Sequence, residues 1–491
     1  MNSTSLLQKF WTFCNTLRDD GMGYGDYLEQ LTYLLFLKLA YEYGQSPYNR
    51  DVHIPPKFDW PSLTARTGMQ LERHYATVLK KLGSKDGMLG AIFFKAENKI
   101  QDSAKLSRLV QLIDAENWIT LDVDMKGELY EGFLEKNAED TKSGAGQYFT
   151  SRSLIEAMVS CVQPEPMKTI ADPACGTGGF FLGAYNWLTK GRGTPLTKKQ
   201  AEFLRFGTFY GNEIVPATRR MCLMNLFLHS IGDMITKPPI DRSDALLMTP
   251  TQQFDYVLAN PPFGKKSSMT ITNSEGEEDR EELTYERPDF WETTSNKQLN
   301  FVQHIVSMLK NNGKAAVVLP DNVLFEGGPG ERIRRRLLLE CDVHTLLRLP
   351  TGIFYANGVK ANVLFWDKCS HRSKVKTKGI WVYDLRTDMH FTRKTKPLKR
   401  DDLLDFVKCY NPLNRHGRKE AGRFRYFTYS EVVARDKANL DIFWLKNSQA
   451  SNLDGLPSPD VLQQQIIDHL EAALSAFRDV AIGLSGQTKR A

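Results

Sequence analysis

An asparagine followed by two prolines and an aromatic residue is the most chemically informative feature of the sequence. The apolar segment 254–264, FDYVLANPPFG, ends in Asn260, Pro261, Pro262 and Phe263. The two prolines stiffen the turn and remove two backbone donors. The side-chain oxygen of Asn260 and the carbonyl of Pro261 can then accept from one amino group. Such acceptors would activate an amine whose lone pair is delocalised into a ring, and Phe263 could stack on that ring.

A glycine-rich turn precedes this tetrad in the chain. Residues 169–180, TIADPACGTGGF, predict a strand that runs into the turn and then into a helix. Glycines let a ligand approach the backbone closely. A dinucleotide fingerprint would need a third glycine where Phe181 stands, and the GK[ST] of a phosphate-binding loop is missing from the turn, so both of these interpretations fail. The candidate binding residues of the turn are Asp172, Pro173, Gly176, Thr177, Gly178 and Gly179.

Acidic residues follow successive predicted strands. Asp172 ends the first strand, Glu213 ends the segment 209–213, and Asp244 follows the segment 240–243. In α/β sheets, ligands bind at the carboxyl ends of the strands. Asp172 could accept from the amino group of a methionine moiety, Glu213 from ribose hydroxyls, and Asp244 from an adenine amino group. Any one of these acids could be a solvated loop residue, but their order favours a nucleoside-binding site.

The region from 141 to 368 has the pattern of an α/β fold. Short apolar runs alternate with helical patterns, which predicts a mainly parallel sheet covered on both faces. The candidate residues follow these runs, where a ligand site is expected. The predicted strands are 168–171, 209–211, 256–259, 315–319, 345–349 and 362–366.

The rest of the chain is predicted to surround a catalytic domain at 141–375. Residues 1–140 form a helical domain, because apolar residues recur every three or four positions in it. Residues 376–455 form a mixed extension, and 456–491 contain a closing helix. The apolar stripe of that helix could pack on its own chain or on a neighbouring subunit. The stripe consists of Ile466, Leu470, Ala473, Phe477 and Val480.

Two polar segments are candidates for contact with a nucleic acid. The stretch 264–297 is rich in Ser, Thr, Glu and Lys, and its length predicts a lid that becomes ordered over a target base. A cluster of arginines could bind a phosphate backbone, or it could equally be a solvated or salt-bridged helix face. The cluster is formed by Arg332, Arg334, Arg335 and Arg336.

Composition limits the class of protein. The 491 residues are 41% hydrophobic and carry a net charge of +6, which is ordinary for a globular chain of two or three folded units. The excess charge tolerates a polyanionic partner but does not demonstrate one. Seven scattered cysteines without a CxxC pair predict reduced thiols and no metal site. We see neither a signal peptide nor a spanning segment, so a cytoplasmic location without membrane contact is expected.

The motifs and their order resemble those of the amino-methyltransferases of DNA. The segment 146–152, GQYFTSR, looks like the part of those enzymes that packs against the cofactor's methionine, which implies binding roles for Gln147, Tyr148, Phe149 and Thr150. Within that group the sequence is most similar to the modification subunits of type I restriction–modification enzymes. The likeness includes LRDDGMGYGDYLEQ at 17–30, WVYDLR at 381–386 and the closing helix.

The resemblance implies a complete activity and its partners. The fold would be a Rossmann-like S-adenosyl-methionine-dependent methyltransferase domain with an N-terminal helical domain and a C-terminal helical tail. The reaction would methylate the N6 amino group of adenine in DNA. Two copies of the chain would join one DNA-specificity subunit, to which a motor–nuclease restriction subunit can be added. The short remainder beyond Trp366 leaves little room for a recognition domain, which supports a separate specificity subunit.

Other functions use the same tetrad. Methyltransferases of glutamine amides in translation proteins face the same geometric problem, but would not need the helical leader or the closing helix. N4-cytosine methyltransferases more often have serine at the position of Asn260. A stand-alone DNA methyltransferase is a further alternative, and the intact tetrad argues against a non-catalytic scaffold.

Overall fold

The computed structural model describes most of the chain. The described residues are 3–18, 21–49, 51–118, 130, 132, 150–264, 268–272, 278–282, 284–354, 360–370, 375–389, 391–392 and 395–445. Residues 1–443 belong to one compact unit and 444–491 to a second. The predicted closing helix and the predicted cofactor contacts Gln147, Tyr148 and Phe149 lie outside the described ranges.

The N-terminal region is helical, as the apolar periodicity predicts. Its second helix, Tyr24–Gly44, is buried on nearly every side from Tyr27 onward, because apolar residues surround its axis rather than forming one stripe. Asp59 and Asp102 cap two of the other helices by accepting from backbone N–H groups. The helices are α1 Ser3–Arg18, α2 Tyr24–Gly44, α3 Trp60–Thr64, α4 Gly68–Leu82, α5 Gly87–Phe93 and α6 Ser103–Asp114.

The described residues of the second half build a nine-stranded sheet and a separate hairpin. The strands are β1 Ile170–Asp172, β2 Phe209–Asn212, β3 Ile240–Asp241, β4 Phe254–Ala259, β5 Ser268–Thr272, β6 Glu278–Glu282, β7 Leu309–Pro320, β8 Cys341–Arg348, β9 Ala361–Lys368, β10 Gly379–Asp384 and β11 Phe424–Thr428. The sheet has the order β11-β10-β8-β9-β7-β4-β1-β2-β3, and the hairpin pairs β5 with β6. All six predicted strands are confirmed.

Strand direction places the candidate residues on one edge of the sheet. Five adjacent strands of the sheet are mutually parallel, so their carboxyl ends lie side by side. They are β3, β2, β1, β4 and β7. Strand β9 runs antiparallel to both β7 and β8, and β11 runs antiparallel to β10. Strand β4 is apolar along most of its length and almost wholly buried, as a central strand covered on both faces must be.

Helices and short turns cover this sheet and connect its strands. Asn296 caps one of them by accepting from two backbone N–H groups. These helices are α7 Arg152–Val162, α8 Gly179–Asn186, α9 Lys198–Phe206, α10 Pro216–Leu228, α11 Lys297–Met308, α12 Asp321–Phe325, α13 Pro329–Glu340, α14 Asp401–Tyr410 and α15 Tyr429–Ala434. A π-helical turn, Trp187–Gly191, extends α8, and 3-10 turns lie at Arg415–Gly417 and Asp436–Ala438. Within the described ranges, none of the helices has both the length and the apolarity to span a membrane.

The predicted loop at 264–297 contains regular structure. Strands β5 and β6 form an antiparallel hairpin within it. The described residues that follow the hairpin pack against the sheet edge, where Tyr285 and Arg287 are buried. Part of this segment is therefore a fixed component of the fold, and its ordering on DNA remains a prediction.

Candidate active site

Two adjoining clefts lie at the carboxyl ends of the parallel strands, and they share Ala174 and Asn260. The first cleft is lined by Asp172 and the glycine-rich turn. The second is lined by Glu213 and Asp244. The structure thus gathers residues that the sequence separates widely, as their positions after successive strands predict.

The glycine-rich turn needs glycine for two different reasons. Gly176 and Gly178 have φ values of 56° and 87°, in the left-handed region that glycine adopts without strain. A Cβ on Gly178 would also lie 2.8 Å from Sγ of Cys222 on α10. On the same helix, Asn225 donates from Nδ2 to the Thr177 carbonyl at 3.0 Å. Helix α10 therefore packs against the glycine-rich turn and holds its backbone in place through these two side chains.

A buried arginine ties α10 to the N-terminal helices. Arg220 donates from Nε to the Ile92 carbonyl at 2.7 Å and from Nη2 to the Phe94 carbonyl at 2.9 Å. Its Nη1 pairs with Glu29 of α2, and the guanidinium lies over the ring of Tyr33. One side chain thus connects the helical region to the helix behind the candidate cofactor turn.

Asp172 is a buried acid next to this turn. Only 1% of its surface is exposed, and Oδ1 accepts from the Ala174 N–H at 3.0 Å. Burial, with a smaller contribution from the nearby Glu213 charge, raises the pKa of Asp172 to about 8. At neutral pH this carboxyl group is therefore largely uncharged. A cationic ligand beside it would favour its ionised form.

Glu213 and Asp244 both line the second cleft. Glu213 accepts from the Gly176 N–H at 3.1 Å and from the Val215 N–H at 2.7 Å, and burial raises its pKa. Asp244 accepts from the Leu246 N–H at 2.9 Å. Each carboxylate oxygen has a further lone pair, so these bonds leave both acids able to accept from ligand hydroxyl or amino groups.

Two residues that hold the Asp244 loop could not be predicted from the sequence. The Tyr285 hydroxyl donates to Oδ2 of Asp244 at 3.1 Å. Arg287 donates to the Leu246 carbonyl at 3.2 Å and contacts Nδ1 of His304 at 3.0 Å. Burial and the Arg287 charge lower the pKa of His304 to about 3, so its neutral ring accepts this bond. The only sequence signal was the position of Tyr285 and Arg287 inside the polar stretch.

Asn260 borders both clefts. Its Nδ2 donates to the Thr150 hydroxyl at 2.9 Å. Its Oδ1 is buried and accepts from none of the described residues. Buried carbonyl oxygens are normally hydrogen-bonded. An acceptor in this state, at the shared wall of two clefts, is suited to an N–H donor from a substrate.

The remaining tetrad residues continue the wall. Pro261 is buried, and Pro262 lines the second cleft. The ring of Phe263 lies edge-on to that of Phe354, with centroids 5.4 Å apart. Phe354 follows β8, and the sequence gives no sign of this contact. The two rings form an aromatic corner beside Asn260.

The arginine cluster is not one surface. Arg334 is buried and donates to the carbonyls of Val323 and Lys437 at 3.0 and 2.7 Å, so neither of the two roles expected of the cluster, a contact with a phosphate backbone or a solvated helix face, holds for this residue. Arg334 lies on the buried face of α13, where its guanidinium connects two chain segments that are distant in sequence. The other three arginines form ion pairs, which are Arg332–Glu292, Arg335–Glu331 and Arg336–Glu340.

Comparison with known proteins shows the family to which the chain belongs. The model of the N-6 DNA methylase family matches residues 121–450, and that of the HsdM N-terminal domain matches residues 6–115. The methylase subunit of the type I restriction enzyme StySJI from Salmonella typhimurium is 37% identical over 100% of this chain and 98% of that protein. The EcoKI methylase subunit of Escherichia coli K12 is 36% identical over 97% and 94%.

A solved structure points the same way. The crystal structure of the EcoKI M protein has a TM-score of 0.54 and 33% identity, and the match covers 96% of this chain and 94% of that one. Fold and site together define an N-6 DNA methylase, an enzyme that methylates the N6 amino group of adenine. The chain belongs to the family of type I restriction-enzyme methylase subunits, the modification subunits of restriction–modification systems.

Proposed function

We propose that this enzyme takes its methyl group from S-adenosyl-methionine, bound across the two clefts. When bound, this cofactor supplies an electrophilic methyl group on a positively charged sulfur. The observation that carries the proposal is the adjacency of buried Asp172, with its raised pKa, to the pair Glu213 and Asp244. A buried acid fits the cationic methionine part, and the other two fit the ribose and adenine, whose polar groups are hydrogen-bond donors.

The chain's own residues would divide the binding task by position. Asp172 accepts from the amino group, Glu213 from the ribose hydroxyls and Asp244 from the adenine amino group. The positive φ angles of Gly176 and Gly178 let the cofactor lie against the backbone. The other proposed contacts are Gln147, Tyr148, Phe149, Thr150, Pro173, Thr177 and Gly179.

The tetrad is proposed to activate the target adenine. Asn260 Oδ1 and the Pro261 carbonyl accept from the N6 amino group, which holds the nitrogen lone pair toward the methyl group. The same acceptors stabilise the positive charge that develops on N6 during attack. Pro262 stiffens the turn, and Phe263 stacks on an adenine that has rotated out of the duplex.

The names of the relatives, which describe them as methylase subunits of type I restriction enzymes, support an assembly of several subunits. We infer that this chain, in the cytoplasm, joins a second copy of itself and a DNA-specificity subunit, and that a motor–nuclease restriction subunit completes the enzyme. Methylation would protect host DNA from that nuclease. We propose that the chain is divided into domains at residues 140, 375 and 455. In the structure, β10 and β11 of the extension lie in the same sheet as β8.

Methyl transfer to DNA tests the proposed function. The chain and a specificity subunit are incubated with methyl-labelled S-adenosyl-methionine and plasmid DNA from a host that lacks the system. We expect label in N6-methyladenine after digestion of the DNA to nucleosides. Label in N4-methylcytosine, or in a translation release factor offered in place of DNA, would support the alternatives instead.

The closing helix is predicted to mediate assembly. An isolated helix of this length is marginal in water, so its apolar stripe must pack against something. We expect that deleting residues 456–491 leaves a folded, cofactor-binding chain that no longer assembles into a sequence-specific methyltransferase. Size-exclusion chromatography with the specificity subunit measures this.

Full-length variants provide the control for that deletion. Leu470→Glu with Phe477→Glu should prevent assembly, whereas Gln464→Glu, off the stripe, should not. A normal and fully active complex from the truncated chain would assign the helix no role in assembly.

A further inference from the structure

We propose that Thr150 is a positioning residue for the Asn260 amide, a role distinct from the cofactor contact that the family resemblance implies. The inference rests on the proposed function, in which Asn260 Oδ1 accepts from the target amine. Thr150 would act by holding the nitrogen end of the amide, so that the oxygen end faces the substrate.

The contact itself supports this role. The Thr150 hydroxyl lies 2.9 Å from Nδ2 of Asn260, and only 9% of Thr150 is exposed. Oδ1 of the same amide is buried without an acceptor bond to any described residue. The two ends of an amide have opposite hydrogen-bonding character. A turned amide would present N–H donors to an amine that must itself donate, and the two groups would then oppose each other.

Loss of the hydroxyl would free the amide to turn. A buried NH2 group without an acceptor is unfavourable. The Asn260 amide would therefore rotate so that its NH2 group faces the cleft, where it can find another acceptor. Because the substrate needs an acceptor there, the fraction of enzyme with a competent Asn260 would fall. The rate of the chemical step would fall with it, while the affinity for the cofactor need not change.

Helix α7 links the Thr150 hydroxyl to the candidate cofactor turn. Thr150 lies just before α7, whose Ile155 packs against the glycine-rich turn. Cδ1 of Ile155 lies 2.8 Å from where a Cβ on Gly179 would be, and Ile155 and Thr150 line the same cleft. Helix α7 thus touches the candidate cofactor turn with one side chain and leads directly into the residue that holds Asn260.

Thr150→Val and Thr150→Ser test the proposal in the chain assembled with its specificity subunit. Valine has the shape of threonine without the hydroxyl, and serine keeps the hydroxyl. We expect Thr150→Val to lower the single-turnover rate of DNA methylation roughly ten- to hundredfold, the effect of leaving one buried amide donor without its acceptor. Thr150→Ser should retain most of the rate. Any rise in the dissociation constant of S-adenosyl-methionine should be much smaller than the fall in rate in both variants.

A double-mutant cycle separates action through Asn260 from other effects. Asn260→Ser removes the Nδ2 donor, so adding Thr150→Val to it should change the residual rate by less than about twofold. Full additivity would overturn the proposal. So would a wild-type rate in Thr150→Val, or a loss of cofactor affinity as large as the loss of rate, which would leave Thr150 as a cofactor contact alone.

Folding and the proposed function are controlled separately. If Thr150→Val fails to fold, Thr150→Ala replaces it, since a smaller side chain cannot overpack the site. An inactive Asn260→Ala enzyme beside a fully active Thr150→Val enzyme would overturn only the positioning role. A fully active Asn260→Ala enzyme would instead refute the proposed catalytic site.

Discussion

Replacing Asn260 by alanine is expected to lower the rate of DNA methylation by about 10²–10³-fold, the usual cost of losing one acceptor at a reacting centre. The structure gives the reason. Asn260 lines both clefts, and its Oδ1 is buried and accepts no hydrogen bond from the described residues, so the substrate amine would supply the missing donor. Alanine leaves the Pro261 carbonyl as the remaining acceptor of the pair.

The same substitution should leave cofactor binding largely intact. The acids proposed to hold the cofactor are bonded to backbone N–H groups rather than to Asn260. Single-turnover methylation and equilibrium binding of S-adenosyl-methionine measure the two effects independently. Asn186→Ala, at the far end of α8, is the matched control and should behave as wild type. Near-normal turnover in the Asn260 variant would refute the role of the tetrad.

The sequence was informative where function requires one local pattern. Asn260 and Pro261 follow an apolar strand, and Asp172 precedes a glycine-rich turn. Strand type could be predicted because each apolar run is short and bounded by turn residues. Because the strands were expected to be parallel, the candidate residues at their carboxyl ends were expected to lie close together. The clefts confirm that these residues come together.

The remaining features depend on contacts between distant segments. Strand β9 reverses direction between β7 and β8, and its apolar pattern is the same whichever way it runs. Arg334 sits in a run of arginines that looks solvated, yet it bonds to carbonyls about a hundred residues away. The bonds of Tyr285 to Asp244 and of Thr150 to Asn260 also join separate segments, and periodicity does not encode such pairs.

Asp172→Asn is expected to weaken cofactor binding and yet stabilise the cofactor-free protein. A charge-assisted hydrogen bond to a cationic amine contributes about 1.5–3 kcal/mol, so the dissociation constant of S-adenosyl-methionine should rise by at least about tenfold at pH 8. Asparagine keeps an oxygen for the Ala174 N–H bond, which Asp172 makes at 3.0 Å. Local structure should therefore persist, and the change isolates the charge.

The raised pKa of Asp172 determines how the stability of the cofactor-free protein changes with pH. With a pKa of about 8 in the folded protein against an ordinary value of 3.8, Asp172 is protonated in the folded state and ionised in the unfolded state across that window. The folded state binds more protons there, so the stability of the cofactor-free wild type should fall as pH rises from about 4 to 8. The asparagine side chain cannot ionise, so the variant should lack this component and melt at the higher temperature at pH 8.5.

Cofactor affinity should have the opposite pH dependence in the wild type. A cationic ligand favours ionised Asp172, so binding below pH 8 must release a proton, and affinity should weaken by up to about tenfold per pH unit as pH falls. The amino group of the cofactor titrates in the same range, but it does so equally with the Asp172→Asn variant, and the difference between the two proteins reports Asp172 alone. Calorimetric titrations at pH 6, 7 and 8 measure that difference, with Asp241→Asn at the end of β3 as the control. A wild-type affinity that falls in parallel with that of the variant would remove Asp172 from the cofactor site, because a buried carboxylate facing a cation cannot be indifferent to its own protonation.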